Sequence, residues 1–171
     1  VQRYRMDAGS WTDKTMLFRL RMASPTFYLG RVVLRSDYVG QRDQVVSDAL
    51  SLGGDNGLRG YSSKRFLSFG GQRVRGNLEY RTRPSRWGPL YMGAVLFYDA
   101  GALYGGTFQS GYVHAVGLGA RGVMPQTSRY TYRLDFGVPL DGTGFMVMLK
   151  GATMTIDCLL YTSPSPRDSV V

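Results

Sequence analysis

The chain has 171 residues, enough for one domain, and nothing in its composition requires a second. Hydrophobic residues make up 43%, and no apolar run reaches the roughly 18 residues of a transmembrane helix, which excludes a helical span but not a membrane barrel with alternating strands. The formal charge of +9 invites a nucleic-acid reading, while a single cysteine, Cys158, excludes an intrachain disulfide and a cysteine zinc cluster.

Read with period two, the chain gives about seven strands. In 16–22, Met16, Phe18, Leu20 and Met22 oppose Arg19 and Arg21. From Phe27 to Val39, Tyr28, Val32, Leu34 and Tyr38 oppose Arg31, Arg35 and Asp37. From Arg73 to Arg83, Val74, Leu78 and Tyr80 oppose Arg73, Arg75, Asn77, Glu79 and Arg81. From Leu90 to Ala100, Leu96 and Tyr98 share a face opposite one that ends in Asp99. From Val113 to Val123, Val116 and Leu118 oppose Gly117, Gly119 and Arg121. From Tyr130 to Val138, Tyr132, Leu134 and Phe136 oppose Arg133, Asp135 and Gly137, and Phe145, Val147 and Leu149 oppose Met146, Met148 and Lys150. The basic residues are thus scattered over polar strand faces, and no RNA-binding motif is present, so the charge belongs to one side of a sheet and not to a nucleic-acid patch.

The links alternate in length. Ser24–Thr26, Pro84–Pro89 and Pro125–Arg129 are short, whereas about 40–72 and 101–112 are long; Asp141–Gly144 falls on the long side but is short. Short turns at one end and long loops at the other suit a barrel. Phe27, Tyr28, Tyr80, Trp87, Tyr91, Tyr130 and Tyr132 all lie beside the short turns, where one membrane interface would place an aromatic girdle. Of the 23 glycines, Gly57 and Gly60 bracket the tip of the longest link, and both are expected at φ > 0.

That link reads Ser51-Leu52-Gly53-Gly54-Asp55-Asn56-Gly57-Leu58-Arg59-Gly60-Tyr61. Its Leu58-Arg59-Gly60-Tyr61 core, the following Asn77-Leu78-Glu79-Tyr80 and the later Phe97-Tyr98-Asp99-Ala100-Gly101 resemble, in order and spacing, signatures of the BamA/TamA superfamily of bacterial surface antigens. This superfamily includes the two-partner-secretion transporters, and the resemblance covers roughly residues 15–153. It implies the C-terminal sector of an antiparallel transmembrane β-barrel, incomplete at about seven strands, in the bacterial outer membrane. It also implies a loop folded into the lumen, where Arg59, within Gly57–Tyr61, meets Glu79 and Asp99. Strand parity independently puts both carboxylates on the polar face. A planar guanidinium can engage either bidentately, for up to about 4 kcal/mol before desolvation at an effective dielectric near 20.

The expected function is insertion or translocation of proteins at the outer membrane. Its partners would be outer-membrane lipids, unfolded or secreted client proteins and periplasmic accessory lipoproteins, with no nucleic acid, cofactor or metal. The alternatives are a two-partner-secretion transporter exporting one dedicated protein and an outer-membrane hydrolase. The hydrolase would need the sole histidine, His114, which lies at a strand end, with Ser110 as nucleophile; no third group orients that pair, and an enzyme is not expected. Gly53–Gly57 lacks the Lys-Ser/Thr of a phosphate loop, and an Arg59 between Glu79 and Asp99 would keep both ionised, against acid catalysis.

The chain opens at Val1 without Met or an apolar leader, which suggests that an export segment precedes it. At the other end, Cys158 to Asp168 resembles translated sequencing-adapter read-through, and Thr162-Ser163-Pro164-Ser165-Pro166 is unsuited to a central strand. Residues 1–157 are therefore expected to form the barrel sector, and 158–171 a non-native tail without strand pairing.

Overall fold

The computed structural model describes residues 2–7, 10–42, 49–54, 57–126, 131–150 and 155–160, with side chains in 15–41, 49–54, 57–126 and 131–150. Its strands are β1 (Gln2–Asp7), β2 (Ser10–Ala23), β3 (Gly30–Arg42), β4 (Leu50–Leu52), β5 (Phe66–Ser68), β6 (Gly71–Thr82), β7 (Ser85–Trp87), β8 (Leu90–Tyr104), β9 (Gly111–Val123), β10 (Thr131–Pro139), β11 (Phe145–Lys150) and β12 (Thr155–Leu160). No described helix is long and apolar enough to cross a membrane, which says nothing of crossing by strands.

The protein is an all-β, antiparallel structure. One sheet runs β1-β2-β3-β6-β8-β9-β10-β11-β12, with β7 paired to the start of β8 and β4-β5 forming a separate hairpin. Neighbours in this order are mostly neighbours in sequence, as short links dictate. β1 and β12 occupy the two edges and do not pair with each other, so the sheet is open.

Alternation sorts the two faces. On the outer face Phe18, Leu20, Met22, Leu78, Leu96 and Leu118 remain exposed. On the inner face Asp37, Glu79, Asp99 and Asp135 are buried together with Val33, Val95 and Phe97. Normal globular sorting is thus inverted: acids are covered and large aliphatics are bare.

What covers the inner face is the link between β3 and β6. Its Leu50, Leu52, Leu58 and Tyr61 form a buried cluster with Val39, Leu103 and Ala115, and Leu17, Phe66 and Val113 pack against it. The β4-β5 hairpin, paired from Leu50↔Ser68 to Leu52↔Phe66, closes the base of this segment. Hydrogen bonds from Gly54 N to Tyr61 O at 2.8 Å and from Tyr61 N to Leu58 O at 3.1 Å tighten its tip. The segment is an inserted lid with its own apolar contacts, not a loop thrown out into solvent.

Several boundaries differ from those expected. The strand expected from Phe27 begins at Gly30, because reciprocal bonds between Phe27 and Gly30, at 2.7 and 3.3 Å, make 27–30 a tight turn. The link expected over 101–112 shrinks to 105–110, since β8 and β9 stay paired out to Leu103↔Gly111. The Pro84–Pro89 turn contains β7, which curls back onto β8 through Ser85↔Met92 and Trp87↔Leu90. Pairing also does not stop before Cys158: β12 pairs Cys158↔Val147, Leu159↔Met146 and Leu160↔Phe145. The physical reason is the free edge of β11, whose unpaired amides and carbonyls pair with whatever extended chain lies beside it. Residues 161–171 lie outside the described part, as do Tyr130, Asp55 and Asn56.

A buried arginine bracket as the candidate functional site

Arg59 sits at the tip of the inserted segment and reaches three strands at once. Its Nε donates to Asp99 Oδ2 and its Nη2 to Asp99 Oδ1, both at 2.7 Å, a bidentate fork. Its Nη1 donates to Glu79 Oε1 at 2.7 Å and lies 3.9 Å from Asp135 Oδ2. The Arg59 backbone N–H adds a bond to Asp99 Oδ2 at 3.1 Å. Residue exposures of 4% for Arg59, 3% for Glu79 and 0% for Asp99 take these pairs out of the surface class, whose members contribute only about 0–1 kcal/mol. Burial would lower the Arg59 pKa, but the Asp99 hydrogen bond and the charges of Asp99, Glu79 and Asp135 outweigh it, and the pKa is raised.

The bracket rests on small residues and one ring. The Arg59 guanidinium lies 3.7 Å above the centre of the Phe97 ring, a cation–π contact. That ring lies over Gly117 of β9, where a Cβ would collide with it. Gly137 of β10 lets the Arg59 backbone approach; a Cβ there would sit 2.5 Å from Arg59 O and 2.7 Å from Gly60 N. Gly57 has the expected positive φ of 108°. Gly60 is not among the positive-φ residues, which corrects that expectation. It is small for another reason: its Cβ would lie 2.6 Å from Ala115 Cβ and 2.9 Å from Pro139 N. Asn77 completes the fit by donating to both Asp99 Oδ1 and Gly57 O at 2.8 Å.

The ion pairs spread across the face. Glu79 also accepts from Arg81 at 2.5 Å, and Asp135 from Arg121 at 2.5 Å and Arg133 at 3.0 Å. On β3, Asp37 pairs with Arg75 and, at 3.4 Å, with Arg73. Glu79 and Asp135 stand on strands three places apart, roughly 14 Å in a flat sheet. Yet both approach the same Arg59 nitrogen, at 2.7 and 3.9 Å. The sheet must therefore bend around this face. Chemically, the arrangement locks a segment in place: these carboxylates are engaged by arginine donors, and among the described residues no group of three or more His, Cys, Asp or Glu could hold a metal ion.

The structure thus brings Gly57, Leu58, Arg59, Gly60, Tyr61, Glu79 and Asp99 into one site. Leu58 and Tyr61 anchor it in the apolar cluster. Burial first, then the Asp141 carboxylate, pushes the Tyr61 phenol above its ordinary range, leaving it protonated to donate to His114 O at 3.3 Å. His114 and Ser110 are not brought together. His114 Nδ1 bonds Tyr98 OH at 3.1 Å, while the Ser110 hydroxyl accepts from Leu103 N and donates to Gly111 O. Sequence reading missed Asp135, Phe97 and Gly137 as members of the site, and had Asn77 only on the right face. Parity was the available signal for the face each occupies, though not for its reach to Arg59. Compared with family models, curated proteins and solved structures, the chain matches none.

Proposed function

We propose that this chain is a sector of an outer-membrane β-barrel that inserts or translocates other proteins, its apolar face against lipid and the Arg59 bracket inside. The observation that carries the membrane reading is the outer face. Its exposed aliphatics lie between two aromatic rims. Phe27, Tyr28 and Trp87 stand at the short-turn end, while Tyr98, Tyr112 and His114 form a hydrogen-bonded ring cluster at the other. Along β8 the rims are separated by the stretch from Leu90, the partner of Trp87, to Ala100, the partner of His114, roughly 33 Å of strand, which at a barrel tilt near 40° projects to about 25 Å, the height of an apolar membrane band. The assembly reading adds the resemblance of the Arg59 segment and of its partners Glu79 and Asp99 to the signatures named above.

Folding the 171-residue chain into phospholipid vesicles tests both levels. In a Trp11→Phe background, Trp87 should be quenched most by lipids brominated near the headgroup; no quenching at any depth would end the membrane reading. The same vesicles should speed the folding of a second, unfolded barrel protein, and Arg59→Ala should remove the gain. Vesicles holding the chain but giving no acceleration would leave a membrane sector without an assembly role.

A further inference from the structure

Four cross-strand pairs of described side chains on the inner face set cation directly against cation, among them Arg31 with Arg81 and Arg121 with Arg133. Arg21 of β2 is the partner of Arg35 on β3, and Arg133 of β10 is the partner of Lys150 on β11. Like charges in direct opposition repel and destabilise an antiparallel pair. Acids relieve several of these cations: Glu79 serves Arg81, and Asp135 serves both Arg121 and Arg133. Arg21 and Arg35 make no ion pair with any described carboxylate. Glu79, whose charge acts on Arg35, is already taken up by Arg59 and Arg81.

Because the sheet bends, the Arg21–Arg35 and Arg133–Lys150 pairs border one cavity of about 160 Å³, an order of magnitude beyond the roughly 10–15 Å³ that a single water needs. Seven cationic side chains line it against two carboxylates, and no large apolar side chain of the inner face joins them. A wall of this kind rejects apolar ligands. Donors converging from both sides suit a compact group better than an extended peptide, and two opposed forks require more than one negative charge on it.

We propose that this cavity is an oxyanion site for a diphosphate-class group, with Arg21 and Arg35 as its principal ligands and Arg133 and Lys150 closing the far wall. Guanidinium forks match phosphate oxygens bidentately, and an anion between Arg21 and Arg35 turns their repulsion into shared attraction. A soluble diphosphate and a diphosphate lipid headgroup offer the same chemistry. The site depends on the bend of the sheet, not on whether its outer face meets lipid, so it stands or falls apart from the membrane reading.

Calorimetric titration of the detergent-folded chain with sodium pyrophosphate, at ionic strength fixed with chloride, tests the site. Saturable one-to-one binding is expected, at least tenfold weaker in the Arg21→Gln/Arg35→Gln double variant and unchanged in Arg86→Gln on the exposed β7. Without ligand, the double variant should melt no lower than the parent, because the substitution removes a repulsion. A marked drop in its melting temperature would assign the pair a structural role and overturn the proposal, as would absent binding or binding indifferent to the double variant. Should the double variant not fold, Arg35→Gln alone, followed by phosphorus NMR of the pyrophosphate, carries the same comparison. Competition by a short-chain diphosphate lipid separates the sources: displacement supports a headgroup as occupant, and its absence with pyrophosphate still bound supports a soluble anion.

Discussion

Around Arg59 each of the three guanidinium nitrogens donates to a carboxylate, and the whole bracket is sealed under an apolar segment. On the neighbouring strands β2 and β3 of the same face, Arg21 and Arg35 stand opposed, exposed, and without an ion pair among the described residues. Residue type is the same and so is the face; what differs is the supply of acids and the cover. The contrast teaches that arginine content says little about a polar sheet face. The sites where carboxylates are held in reach become mechanical joints, and the sites where they are missing remain open to ligands.

The strongest test of this contrast is Arg59→Ala. Breaking a buried pair by removing one partner costs about 3–5 kcal/mol, and here Glu79 and Asp99 both lose their donor. The denaturant midpoint of the detergent-folded chain should fall accordingly; a loss below about 1 kcal/mol would put the bracket in the class of exposed pairs and erase the distinction. Arg59→Lys keeps the charge but not the fork, and should cost about 1.5–3 kcal/mol, the range of a lost hydrogen bond to a charged group. Equal losses for Lys and Ala would mean that the fork geometry carries everything.

Next in size, Gly60→Ala and Gly137→Ala overpack the seam between segment and β10 and should each cost about 1–3 kcal/mol. Gly76→Ala is the control, since an added Cβ there meets nothing within 4 Å. A neutral Gly137→Ala would show that the seam yields.

The smallest effect belongs to Asp141, an acid in an exposed turn held by neutral donors. Burial works against its charge, but the Thr143 hydroxyl at 2.7 Å and amide at 3.1 Å outweigh that and keep the carboxyl below its ordinary value. Such a depressed group contributes stability above its unfolded-state pKa and loses it as pH falls through the folded-state one. Thr143→Ala removes the hydroxyl but keeps the amide and should move the Asp141 titration, followed by carbon-13 NMR, upward; an unmoved midpoint would mean that the hydroxyl does not set it.

Much of this was legible because strand parity is a strict rule. A period of two fixes which of Glu79, Tyr80, Tyr98 and Asp99 share a face, whatever the boundaries do. The position of Arg59 came from motif resemblance and not from periodicity, since links carry no period. Asp135 escaped because its strand reaches the bracket only through the bend of the sheet, which no local pattern states. Gly60 was given a role in backbone conformation when its role is clearance, and the two requirements leave the same letter in a sequence. Gln2–Asp7 does alternate, Tyr4 and Met6 against Arg3 and Arg5, but two apolar residues are too thin a signal. The second half of β12, from Cys158, was set aside with the adapter-like stretch, although an open edge will pair with chain of any origin.

The reach of Arg59 to β6, β8 and β10 also sets an order of events. Its partners lie 20 and 40 residues away in sequence, and none is in place until those strands have found their register. Such non-local contacts form late, after the entropy of closing long loops has been met. The bracket therefore belongs on the native side of the folding barrier. Weakening it should leave the rate of folding nearly unchanged and quicken unfolding, which makes Arg59 a latch on the lifetime of the finished sheet and not a guide to its assembly.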